Sequence, residues 1–171
     1  MKGKYLALRL CVIGGVLISS SVFASDGTIN FTGTVTETAC TVSSSTVAVA
    51  FGTIASSSFS AAGDVAAPTQ FAISLTDCPA SVTSATVKFD GTADTTNSSL
   101  LALGSSSTAA GLGVAIYDNT GTLVPAATAS SAYTLATGSN SLDFVARLMS
   151  TSATITAGTV ATSTDFTIAY D

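Results

Sequence analysis

Two cysteines, Cys40 and Cys78, are the residues best placed to do chemistry, and that chemistry is oxidation to a disulfide. An even cysteine pair in an exported chain defaults to a bridge. A reactive thiol or a metal-binding pair is the rival reading, but no histidine is present to complete a metal site. The lack of histidine also removes the commonest general acid–base group and every His-based triad. Lys88 lies in a predicted strand and faces away from Val87 and Phe89, as a solvated lysine does. Asp90 and Asp94 could pair as acid and base, but they flank Gly91 in a turn, and turn chemistry accounts for them. Gly111-Leu112-Gly113 precedes a strand rather than a helix, so it has no phosphate-loop context. Asn30-Phe31-Thr32 and Asn97-Ser98-Ser99 match a glycosylation pattern, a weak signal in so short a motif. No catalytic residue, metal or cofactor is called for, and the chain is expected not to be an enzyme.

The elements that hold these residues begin after a leader. Met1 to Ala24 has a basic start (Lys2, Lys4, Arg9), an apolar run from Leu10 to Ile18 and the small-residue site Val22-Phe23-Ala24. That run is shorter than the roughly 20 residues a membrane helix needs, so it reads as a cleaved secretory signal. Cys11 leaves with it. Three of the five basic residues also leave, so Lys88 and Arg147 remain against ten acids. Such a surface offers no footprint for nucleic acid. The remaining chain suits one domain with one core.

Beyond Cys40, short alternating runs stand between Ser/Thr/Gly turns. The inward sets are Val47, Val49, Phe51; Phe71, Ile73, Leu75; Val87, Phe89; Leu112, Val114, Ile116; Leu142, Phe144, Ala146, Leu148; and Phe166, Ile168, Tyr170. Turns are expected at Asp90-Gly91 and Asp118-Asn119-Thr120-Gly121. Loops are expected from Ser56 to Ala62 and from Ser105 to Ala110, with a short helical or irregular turn at Leu100 to Leu103. Pro68, Pro79 and Pro125 fall at predicted strand boundaries. This punctuation means an all-β sandwich or barrel. A bridge between Cys40 and Cys78 would stabilise it by roughly 4 kcal/mol in the chain-entropy model.

One strand stands apart. Thr28 to Val35 alternates, with Ile29, Phe31 and Val35 on its apolar face and Gly33 interrupting that face. Glycine at an inward position weakens a strand in its own fold and often marks close backbone approach. Its place before the cysteine that opens the body points to a strand that belongs in another molecule's core, with an ordinary edge strand on its own body as the alternative.

The start TINFTGTVTETACTV, the Cys40/Cys78 pair, the segment GVAIYDNTGT and the ending AGTVATSTDFTIAYD together resemble type 1 fimbrial pilins of the bacterial chaperone–usher pathway, over Ser25 to Asp171. The family's penultimate tyrosine is matched by Tyr170, and its upstream glycine by Gly158. The resemblance implies an incomplete immunoglobulin-like sandwich that lacks its last strand and is completed by donor-strand exchange. It implies a cleaved signal (1–24), a donor extension (25–37) and a pilin domain (38–171). Ile29, Phe31, Gly33 and Val35 become the donor strand. Gly158, Phe166, Ile168 and Tyr170 become the groove-edge strand that meets first a periplasmic chaperone and later the donor of the next subunit, delivered at an outer-membrane usher. The chain would then be a structural subunit of a surface fimbria supporting adhesion, with neighbouring pilins as partners. A minor tip or adaptor pilin and a ligand-binding adhesin module are the alternatives. General likeness favours the rod subunit, and the fifteen residues before Cys40 leave no room for a separate binding domain.

Overall fold

The computed structural model describes residues 29–33 and 39–171. The leader, Thr28 and Val35 lie outside the described residues. The chain divides into two units, Met1–Val35 and Thr36–Asp171. In the first, residues 29–33 form no regular element, although alternation predicts a strand there. A strand is defined by a ladder, and alternation supplies a face without a partner. Ile29 and Phe31 are 79% and 91% exposed.

The second unit is a two-sheet β-structure. Its strands are β1 (Thr41–Val42), β2 (Val65–Cys78), β3 (Ser84–Phe89), β4 (Leu101–Ala102), β5 (Leu112–Tyr117), β6 (Leu123–Val124), β7 (Tyr133–Thr134), β8 (Gly138–Ser150) and β9 (Phe166–Tyr170). The main sheet runs β1-β2-β8-β5-β4, with β6 also on β5. The smaller sheet runs β7-β3-β9. Every pairing is antiparallel. Alternation dictates the core: Ile73 and Leu75 of β2, Val87 and Phe89 of β3, Val114 and Ile116 of β5, and Leu142, Phe144, Ala146 and Leu148 of β8 are all buried. Phe144 sits at its centre, with ring centroids 5.5 Å from Phe71, 5.1 Å from Phe89 and 5.4 Å from Tyr133. Cys40 is bonded to Cys78.

Three expectations differ. Pro68 lies inside β2 rather than at its boundary, where the register slips between Ala66 and Thr69 and Ala67 has φ 53°. A bulge tolerates proline because the ladder is already interrupted there. Leu101–Ala102 is a two-residue strand on β5, not an irregular turn. The run Val47–Phe51 has the expected alternating burial but belongs to no strand.

Candidate functional site

That last departure defines the site. Val49, Phe51 and Ile54 pack against the core and Val47 lines the cavity beside it, all four half-buried. Among the described residues, no backbone hydrogen bond ties 44–54 to a neighbouring strand. On the other side, Phe166, Ile168 and Tyr170 of β9 are also half-buried, while Thr167 and Ala169 between them are exposed. One edge of β9 pairs with β3 from Phe89↔Phe166 to Ala85↔Tyr170, and the other edge has no partner strand among the described residues, where β9 ends its sheet.

Between the 44–54 edge and the segment 155–166 that leads into β9 lies an open groove, made of two cavities that share lining residues. The larger, about 670 Å³, has Phe51, Phe71, Phe89, Leu101 and Val114 among its lining residues. The smaller, about 470 Å³, is lined in part by Phe59, Leu112, Leu148 and Ile155. Val49, Phe51 and Val160 belong to both and form the waist. The floor is therefore the sandwich core itself, opened where a strand should cover it.

The wall from Thr156 to Thr164 is held on its outer side by side-chain hydroxyls of the neighbouring loop. Thr159 N donates to Thr108 Oγ1 (2.8 Å) and Ala161 N donates to Ser107 Oγ (2.9 Å). Thr162 Oγ1 donates to the Ala102 carbonyl (2.7 Å). This close seam explains Gly158. A Cβ there would lie 2.5 Å from Ala109 N and from the Thr108 carbonyl carbon. Gly33 is the opposite case: a Cβ there meets nothing within 4 Å. Burial raises the Tyr170 phenol pKa above its ordinary value.

A family model described as fimbrial protein matches residues 29–171. The chain belongs to this fimbrial family. Long polar fimbria protein A of Salmonella typhimurium is 36% identical over 162 residues, covering 91% of each chain. A probable major fimbrial subunit of Escherichia coli O157:H7 is equally similar, with the same coverage. Among solved structures, a chaperone–usher pilus studied for rod uncoiling matches with TM-score 0.66 at 21% identity, covering 88% of this chain and 99% of that one. The fold of this pilin is accordingly the incomplete immunoglobulin-like sandwich, and its role is that of a structural subunit of a surface fimbria rather than an enzyme.

The sequence-predicted residues fall as follows. Cys40 and Cys78 meet. Phe166, Ile168 and Tyr170 line up on one face of β9, and Gly158 sits upstream on the same wall. Ile29, Phe31 and Gly33 lie in the other unit. In the sequence Val47, Val49, Phe51, Phe71 and Phe89 read only as inward core positions, Leu101 falls in an expected turn, and Ile54 carries no signal of its own. The signal that could have identified the wall is its alternation without any partner run to pair with.

Proposed function

We propose that this pilin polymerises by donor-strand exchange, with the segment carrying Ile29, Phe31, Gly33 and Val35 of one subunit filling the groove of the next. Pilin complementation is a known instance of strand addition to a sheet edge. The observation that carries the reading is an open groove between 44–54 and the segment 155–166 that runs into β9, with 44–54 and the outer edge of β9 lacking a ladder partner among the described residues. Unpaired edges over an open core are costly in water, so one inserted strand satisfies both at once.

Size suggests a register. Phe31 suits the larger, aromatic-lined cavity, Gly33 the waist at Phe51 and Val160, and Val35 the smaller cavity. Residues two apart lie about 6.6 Å apart along a strand, so consecutive inward positions step from one compartment to the next. This order runs the donor antiparallel to β9. Before assembly a periplasmic chaperone strand would occupy the same groove, and an outer-membrane usher would bring donor and acceptor together. Likeness to a relative named as a probable major subunit supports a place along the fibre shaft.

The test is Gly33→Leu. The chaperone-bound subunit should stay folded, since the residue stands in open space, while fibres disappear because the waist cannot admit a leucine. Normal fibres by electron microscopy would sink the assignment.

A further inference from the structure

We propose that Ser107 and Thr108 are positioning residues for strand exchange: their hydroxyls fix which side chain of the 158–164 wall forms the waist, and so impose glycine at the matching donor position. This role rests on the donor-strand reading of the segment around Gly33. Neither residue lines the groove, so both act through the wall.

The wall belongs to no strand, yet its hydrogen bonds alternate as a strand's do. Odd-numbered peptides face the 104–110 loop. The Thr159 carbonyl accepts from Thr108 N (3.0 Å) and Ala109 N (3.1 Å), and the Ala161 carbonyl accepts from Gly104 N (2.8 Å). Asp165 keeps the same parity beside β3, where its carbonyl accepts from Asp90 N (2.8 Å). Even-numbered peptides do the reverse. The N–H and C=O groups of Gly158, Val160, Thr162 and Thr164 have no hydrogen-bond partner among the described residues. An incoming antiparallel strand therefore meets the free peptide edge at Val160. A residue that exchanges both bonds there lies directly opposite Val160, on the same face. The suggested register puts Gly33 in that place.

The loop holds this wall with two side chains. Among the described residues, no backbone carbonyl accepts from Thr159 N or Ala161 N. Thr108 Oγ1 accepts from the first at 2.8 Å and Ser107 Oγ from the second at 2.9 Å. Ser107 Oγ also donates to the Ala161 carbonyl (2.8 Å), and Thr108 Oγ1 lies 3.1 Å from Thr159 Oγ1. The two hydroxyls stand where the carbonyls of a neighbouring strand would be.

What they fix is parity. Side chains alternate with period two, so a slip of one residue would turn Val160 out of the groove and bring Thr159 or Ala161 in. Val160 is half-buried and lines both cavities together with Val49 and Phe51, whereas Thr159 and Ala161 are exposed. With Val160 inward, the waist suits a residue without a side chain. Ala161 in its place would release the space of valine's methyl groups and admit a Cβ from the donor.

The experiment reads the detergent-stable subunit ladder of full-length variants, which reports strand exchange. Gly33→Ala should lower the polymer yield by about tenfold or more, as overpacking does. Ser107→Ala with Thr108→Val removes both hydroxyls, and adding this pair to Gly33→Ala should restore most of the ladder. Adding Thr108→Ser instead, which keeps the hydroxyl, should restore none. A merely structural role for the loop would make the combined variant worse than Gly33→Ala rather than better. An undiminished ladder in Gly33→Ala overturns the proposal, as does a failed rescue where the hydroxyl-free pair alone still polymerises. Residue-resolved hydrogen exchange on wild-type fibres decides the matter even if that pair does not fold. The Val160 amide should exchange as slowly as those of Thr159 and Ala161, and a fast Val160 amide overturns the assigned parity. A wild type that forms no ladder would instead sink strand exchange itself.

Discussion

Asp118 is the most deeply committed charge in the molecule. It is 2% exposed, yet its carboxylate accepts from Thr120 N (3.0 Å), Thr120 Oγ1 (2.6 Å), Thr122 N (3.0 Å) and Ser131 N (3.3 Å). Burial works to raise its pKa, but these donors outweigh burial and hold it at about 2, below the ordinary 3.8. The group is depressed in the folded state, so its stabilisation is complete above about pH 4 and is lost as pH falls toward 2. A shift of this size corresponds to about 2 kcal/mol. Wild-type fibres should therefore exceed Asp118→Asn fibres in denaturant midpoint at neutral pH, and the gap should close between pH 4 and pH 2. A gap independent of pH would show that the carboxylate charge is not what matters. The turn itself was legible in Asp118-Asn119-Thr120-Gly121. Its burial was not, because Ser131 approaches from a loop thirteen residues away in sequence.

At the scale of elements, alternation identified faces better than it identified strands. One wall of the groove was legible as Val47-Val49-Phe51, and the other only where it enters β9 at Phe166. What alternation does not encode is whether a ladder partner exists, and the first wall has none among the described residues. The short β6 and β7 escaped notice because two residues carry no period. Gly158 entered through resemblance, and its physical reason emerges only from the seam between 104–110 and 156–162. Gly158→Ala should push these segments apart and cost roughly 1–3 kcal/mol, as overpacking does. Subunit yield and fibre stability should both fall, whereas Gly33→Ala, with open space around its Cβ, should leave subunit folding unchanged. Equal behaviour of the two variants would contradict the seam as the reason for this glycine.

The whole molecule is a sandwich whose core ends at an open face. Val49, Phe51, Phe71, Val160 and Phe166 pack against the buried cluster yet line the open groove. Burying Ile29, Phe31 and Val35 in that groove should contribute roughly 5–8 kcal/mol before ordering costs, at about 1.5–3 per large apolar side chain. That is comparable to the entire stability of many domains, so the unfilled subunit should be marginal. Geometry offers a direct check. β9 ends at Tyr170, one residue before the C-terminus, and the suggested donor runs antiparallel to it. A copy of residues 28–37 moved from the N-terminus to follow Asp171 through a short turn should fold back into the chain's own groove, as hairpin strands do. The rearranged chain should be a soluble monomer that unfolds cooperatively without a chaperone and no longer polymerises. The same chain with the donor simply deleted should aggregate. If both variants showed the same denaturant midpoint, the groove would not be the place where this fold is completed.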